Sequence, residues 1–133
     1  MGHPCVLRRS DDHCIFWVSA PDSRHSRNIA HRSTIAITIF DSHAPIGAAE
    51  ALYLEASATP VHDHDRRTAV DILNSRLPVG RQLATCDLVP PGPLRVYRAD
   101  VTQHFVLVRG GDKQFDNVTD MRLAVAPAES NRR

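Results

Sequence analysis

The chain has 133 residues, 42% of them hydrophobic and 23% charged, which suits one globular domain around one core. Lys+Arg 16 against Asp+Glu 15 leave a formal net charge of +1, so no basic excess advertises a nucleic-acid partner. No segment approaches the roughly 20 apolar residues of a membrane span, and a soluble protein without membrane partners is expected.

Nearly all the positive side chains are arginine, with Lys113 the only lysine. Arginine suits bidentate phosphate contacts better than lysine does. The three cysteines, Cys5, Cys14 and Cys86, have neither metal-type spacing nor an even count for a disulfide framework. They read as reduced thiols in a cytoplasmic protein. The opening MGHPCVLRRSDD holds no apolar run long enough for a signal peptide, and Val6 stands where a myristoylation signal has Ser or Thr.

In chain order, Pro4 to Arg9 reads as a first strand and Ser10-Asp11-Asp12-His13 as the turn of a hairpin into a second, Ile15 to Val18, which carries Trp17. That strand breaks at Ala20-Pro21-Asp22. Asp22 or Ser23 can cap the short polar helix that follows, with Ile29 and Ala30 turned inward. Thr34 to Phe40 then alternates, Ile35, Ile37 and Ile39 on one face and Thr34, Ala36, Thr38 and Phe40 on the other. Even the second face is only mildly polar, so a central strand is expected.

Asp41 to Gly47 reads as loop, and a long strand follows from about Ala48 to Val61. Its Leu52, Leu54, Ala56 and Ala58 share one face, and Tyr53, Glu55, Ser57 and Thr59 the other. Asp63 to Leu77 has apolar residues at helical spacing and is closed by Pro78. Leu88 to Pro93 is a stiff connection. Leu94 to Ala99 and Thr102 to Arg109 are expected as two strands meeting near Asp100, Gly110-Gly111-Asp112 as a turn, and Met121 to Val125 as a last strand.

The chemistry gathers at the break. Ser23, Arg24, His25 and Ser26 place hydroxyls, a guanidinium and an imidazole where the first N–H groups of a helix point outward unpaired, an arrangement that holds a phosphate.

Ser23-Arg24-His25 followed by Asn28-Ile29 and a strand resembles the Ser-Arg-Lys segment of the pyridoxamine 5'-phosphate oxidase-like split barrels, a flavin-binding superfamily. Ala51-Leu52-Tyr53-Leu54-Glu55-Ala56-Ser57-Ala58 resembles that family's long central strand, and Leu94-Arg95-Val96-Tyr97-Arg98-Ala99 its late "LYR" strand. The resemblance implies a mainly β chain with helices (α+β), a split β-barrel of the FMN-binding type; the chain length suits a single domain over residues 1–126, and residues 127–133 read as a flexible tail. The resemblance further implies a homodimer with flavin mononucleotide (FMN) at the subunit interface. Val18 and Ser19 match residues along the flavin ring and ribityl chain, and Ser23, Arg24 and His25, with Ser26 beside them, match the phosphate ligands. His25 stands where the family often has Lys, and because imidazoles change charge near neutral pH, FMN binding is expected to weaken as pH rises.

The chain departs from the family in several places. It starts too late to contain the family's first helix and strand, so either the barrel is short by one strand or the start is truncated. His3 stands where a family Arg is expected and Ala51 where a flavin-contacting Gln is expected. Arg8 and Arg76 are basic at places that hold pyridoxal phosphate in the true oxidases, but Ile72 and Gly80 replace the expected Tyr and Ser. A true vitamin B6 oxidase is therefore not expected.

His62-Asp63-His64-Asp65 lacks the i, i+4 spacing of a helical zinc pair, and no metal site is expected. No G-x-S-x-G elbow is present, and no protein nucleophile is evident. The expectation is an FMN-dependent oxidoreductase acting on an unidentified small molecule. The alternatives are a member that uses the deazaflavin F420, one that binds haem, or a non-catalytic barrel that has lost its cofactor.

Overall fold

The computed structural model describes residues 6–7, 13–48 and 50–127. Among these the chain is mixed α/β. Its strands are β1 (Val6–Leu7), β2 (Cys14–Ser19), β3 (Thr34–Phe40), β4 (Ala51–Pro60), β5 (Arg95–Val108) and β6 (Met121–Val125), with helices α1 (Arg24–His31) and α2 (Arg66–Asn74). Hydrogen bonding orders the strands β1-β2-β5-β4-β3, and β6 pairs with β5. The β1–β2, β2–β5 and β5–β6 pairs are antiparallel. The chain clusters into two compact units, Met1–Ile35 with Ser57–Asp100 and Ala36–Ala56 with Val101–Arg133.

The first unit contains both helices and the main core. Apart from a half-buried Trp17, β2 is buried on both faces, which is why its sequence is an apolar run rather than an alternation. Cys14, Phe16 and Val18 share one face and pack with Ala69, Val70 and Leu73 of α2, together with Leu88 and Val96. Leu73 and Leu88 are each only 1% exposed, and burial of such a side chain contributes about 1.5–3 kcal/mol. On the opposite face Trp17 stacks on Tyr97, its partner in the β2–β5 ladder, with ring centroids 5.7 Å apart. Arg98 donates to Asp100 at 2.8 Å, and this hydrogen bond raises the guanidinium above its ordinary pKa.

In the second unit, β3 beyond Ile35, the first part of β4, the second part of β5 and β6 form sheet, and no described helix belongs to it. Arg122 lies over the Tyr53 ring, 4.1 Å from its centroid, and the Thr102 hydroxyl donates to the Glu55 carbonyl at 3.1 Å. The turn after β5 is held by Asn117, whose amide donates to the Arg109 and Thr119 carbonyls at 2.9 and 2.8 Å. Gly111 supplies the positive φ of 84° that this turn needs.

Several expectations are corrected. β3 is not central but ends the strand order, because alternation reveals which face is covered and not how many neighbours a strand has. The runs on either side of Asp100 are one continuous strand, since Asp100 is exposed and can meet Arg98 without breaking the ladder. The long strand begins at Ala51, not Ala48. The helix expected over 63–77 is a 3-10 turn, Asp63–Asp65, followed by α2, which stops at Asn74 before Pro78 is reached. There the Asn74 side chain bonds both the N–H and the carbonyl of Leu83, at 2.7 and 3.1 Å. In α1 the inward residues are Ser26 and Ile29, whereas Ala30 is exposed. Only Val6 and Leu7 of the expected first strand fall within the described residues, and most of the tail lies outside them.

Candidate functional site

Ser19 closes β2, and Ala20-Pro21-Asp22 turns the chain back, with the Ser23 N–H donating to the Ala20 carbonyl at 3.1 Å. Proline at 21 has no N–H to leave unpaired in this turn. Ser23 is extended, at φ −62° and ψ 154°, and its hydroxyl accepts from the Ser26 N–H, so it is the N-cap of α1. No acidic residue stands in the first turn. The first N–H groups of the helix, those of Arg24 and His25, lack intrahelical acceptors by helix geometry.

Three hydroxyls and one imidazole form a chain of hydrogen bonds across this turn. Ser19 Oγ lies 2.5 Å from His25 Nε2 and 3.1 Å from Ser23 Oγ, and Ser23 Oγ donates to Ser26 Oγ at 2.9 Å. A serine hydroxyl has one proton. Ser23 spends its own on Ser26, so Ser19 must donate to Ser23, and His25 must donate from Nε2 to Ser19. The series therefore runs His25 to Ser19 to Ser23 to Ser26, and the Ser26 hydroxyl proton is its free end. Ser19 and Ser26 are buried, at 2% and 3% exposure, while Arg24 and His25 are exposed. The Arg24 guanidinium has no polar partner among the described residues.

Of the six predicted site residues, five thus converge at one end of α1, with Arg24 contributing by position and charge. Val18 differs. Its side chain packs in the core with α2, so it offers a ligand its backbone and not its side chain. Arg95, which sequence reasoning did not assign to the site, stands opposite Ser19 in the β2–β5 register and donates from Nη1 to the Gly92 and Leu94 carbonyls at 2.6 and 2.5 Å. Its only signal was membership of the late strand, since a register cannot be read from one strand alone.

The other positions weighed in the sequence are dispersed. His3 and Arg8 lie outside the described residues, Arg76 is exposed, and Ile72 packs against the core. His62 and His64 stack with ring centroids 5.7 Å apart, and His64 Nε2 lies 3.2 Å from Asp65 Oδ2. Among the described residues no three potential ligands converge as a metal site would require. Cys14 is buried and Cys86 exposed, and neither is in a disulfide. A cavity of about 680 Å³ in the second unit, lined by Ile39, Phe40, Leu52, Val106 and Leu107 together with Asp41 and Glu50, includes none of the predicted site residues. Ala51 also lines it. No described helix is long and apolar enough to cross a membrane.

No family model matches this sequence, and no curated protein matches it.

Proposed function

We propose that this chain is an FMN-binding oxidoreductase of the split-barrel type, working as a cytoplasmic homodimer on a small molecule. The observation that carries the reading is the hydrogen-bonded series at the start of α1, where unpaired N–H groups, a free hydroxyl proton and the Arg24 guanidinium are donors available to one anion. A phosphate monoester fits that donor set. Arg24 would neutralise its charge, His25 would add a ring donor, and Ser23 and Ser26 would orient it. Ser19 positions His25. A bound flavin supplies hydride or electron transfer, and the protein contributes binding, orientation and exclusion of water.

The deazaflavin F420 also carries a phosphate, and the same donors suit it. A second reading, a barrel without cofactor, draws on two features. The Val18 side chain is committed to the core, and the serine hydroxyls already satisfy one another without a ligand.

The deciding experiment is titration of the purified, cofactor-stripped protein with FMN, F420 and haem at one pH, followed by flavin fluorescence and visible absorbance. Saturable FMN binding at one per subunit supports the oxidoreductase. Failure of all three in a folded protein favours the cofactor-free barrel.

A further inference from the structure

In the first unit α2 covers β2, but the second unit has no described helix to do the same, and Leu52 of β4 with Val106 and Leu107 of β5 are left half-buried. The loop over 41–50 folds back between β3 and β4 through two turns, the Ala44 N–H donating to the Asp41 carbonyl at 3.3 Å and the Ala48 N–H to the Pro45 carbonyl at 3.0 Å. Strands and loop together bound the cavity of about 680 Å³, which falls in the range of small-molecule sites, about 300–1,000 Å³.

The charges on its wall are of one sign. Asp41 and Glu50, at the two ends of the loop, line it, every other lining residue is apolar, and no basic side chain takes part. Asp41 Oδ1 accepts from the His43 N–H at 2.9 Å and lies 3.7 Å from His43 Nδ1, while Oδ2 has no partner among the described residues. Glu50 has no polar partner among them either. Arg109 comes near Gly47 but is engaged in an interaction of its own. Charges of one sign on a low-dielectric wall concentrate the opposite charge in a cleft.

The geometry points to this cavity as a binding site for a small primary amine with an apolar body. Its ammonium pairs with the carboxylates of Asp41 and Glu50, and its aryl or alkyl part lies against Phe40, Leu52, Val106 and Leu107. An ammonium has three N–H donors and no acceptor, so one such group can serve two carboxylates. An anion is repelled by the same pair, so this is not a second place for a phosphate. The site uses none of the donors at the start of α1 and stands whether or not a flavin binds there.

Calorimetric titration of the full chain with 4-phenylbutylamine, 4-phenylbutan-1-ol and 4-phenylbutyrate tests it, since the three share one apolar body and differ in charge. The amine is expected to bind saturably and about tenfold more tightly than the alcohol, each exposed ion pair contributing a few-fold, and the carboxylate to bind more weakly than either. Asp41→Asn with Glu50→Gln keeps the loop's hydrogen bond to the His43 N–H and is expected to bring the amine down to the affinity of the alcohol, with the alcohol unchanged. Ala48→Trp, at an exposed loop position that lines the cavity, is expected to abolish binding of both, with far-UV circular dichroism unchanged. No saturable binding of the amine at millimolar concentration, equal affinities for the three probes, or an amine indifferent to both variants would overturn the proposal.

Discussion

Ser19 Oγ and His25 Nε2 lie 2.5 Å apart, joining the last residue of β2 to the first turn of α1. The contact fixes how the imidazole is presented. Nε2 is committed as a donor to Ser19, so the ring is held with one nitrogen inward. Ser19→Ala removes that acceptor and the donor to Ser23 together. Loss of these hydrogen bonds is expected to lower stability by about 1–2 kcal/mol, read from urea unfolding, and to weaken FMN binding in parallel.

A second expectation concerns His25 itself. His25→Ala removes the ring N–H that Ser19 accepts and the ring donor offered to the phosphate, so FMN binding is expected to weaken by about 0.5–1.5 kcal/mol, as measured by fluorescence titration. Equal affinities would remove His25 from the site.

Arg24 separates ligand binding from folding. Its side chain is exposed and has no polar partner among the described residues, so Arg24→Ala is expected to leave the melting temperature unchanged. FMN binding should weaken by about 1.5–3 kcal/mol, the range for hydrogen bonds to charged groups, as measured by fluorescence titration. Equal affinities would mean the phosphate is held elsewhere or not at all.

What the sequence shows here follows from how local each cause is. The β2 run, its break at Pro21, the Ser23 cap and the alternation of β4 depend on neighbours within a few residues, and all are present. The edge position of β3 depends on strand pairing across the chain, and nothing in TIAITIF encodes it. Asp100 looked like a breaker because its partner Arg98, two residues earlier on the same face, becomes apparent only with the strand in place. The serine cluster was legible as a list of residues. Its direction of hydrogen bonding was not, because that depends on Ser19 returning to meet the helix after the turn.

The core makes a separate prediction. Leu73 is 1% exposed among Phe16, Val18, Leu88 and neighbouring side chains, where a truncation leaves a void that these residues fill only in part. Leu73→Ala is expected to cost about 2–5 kcal/mol in chemical denaturation. A cost near zero would mean that α2 does not pack on β2 as described.

The last prediction concerns how α2 is tied to the segment after it. Asn74 acts as donor and acceptor at once, its Nδ2 to the Leu83 carbonyl at 3.1 Å and its Oδ1 from the Leu83 N–H at 2.7 Å. A side-chain amide carries the donor and the acceptor that this pairing needs. Asn74→Asp keeps the acceptor but sets a second oxygen against the Leu83 carbonyl, whereas Asn74→Ala removes both bonds. Each variant is expected to lose about 1–3 kcal/mol. The two differ in their response to acid: protonation gives the aspartate a donor again, so Asn74→Asp should recover stability relative to Asn74→Ala as pH is lowered through the ordinary carboxylate range of about 4. Urea unfolding of both variants at two pH values decides it, and identical behaviour would mean that the carbonyl of Leu83 is not held by this side chain.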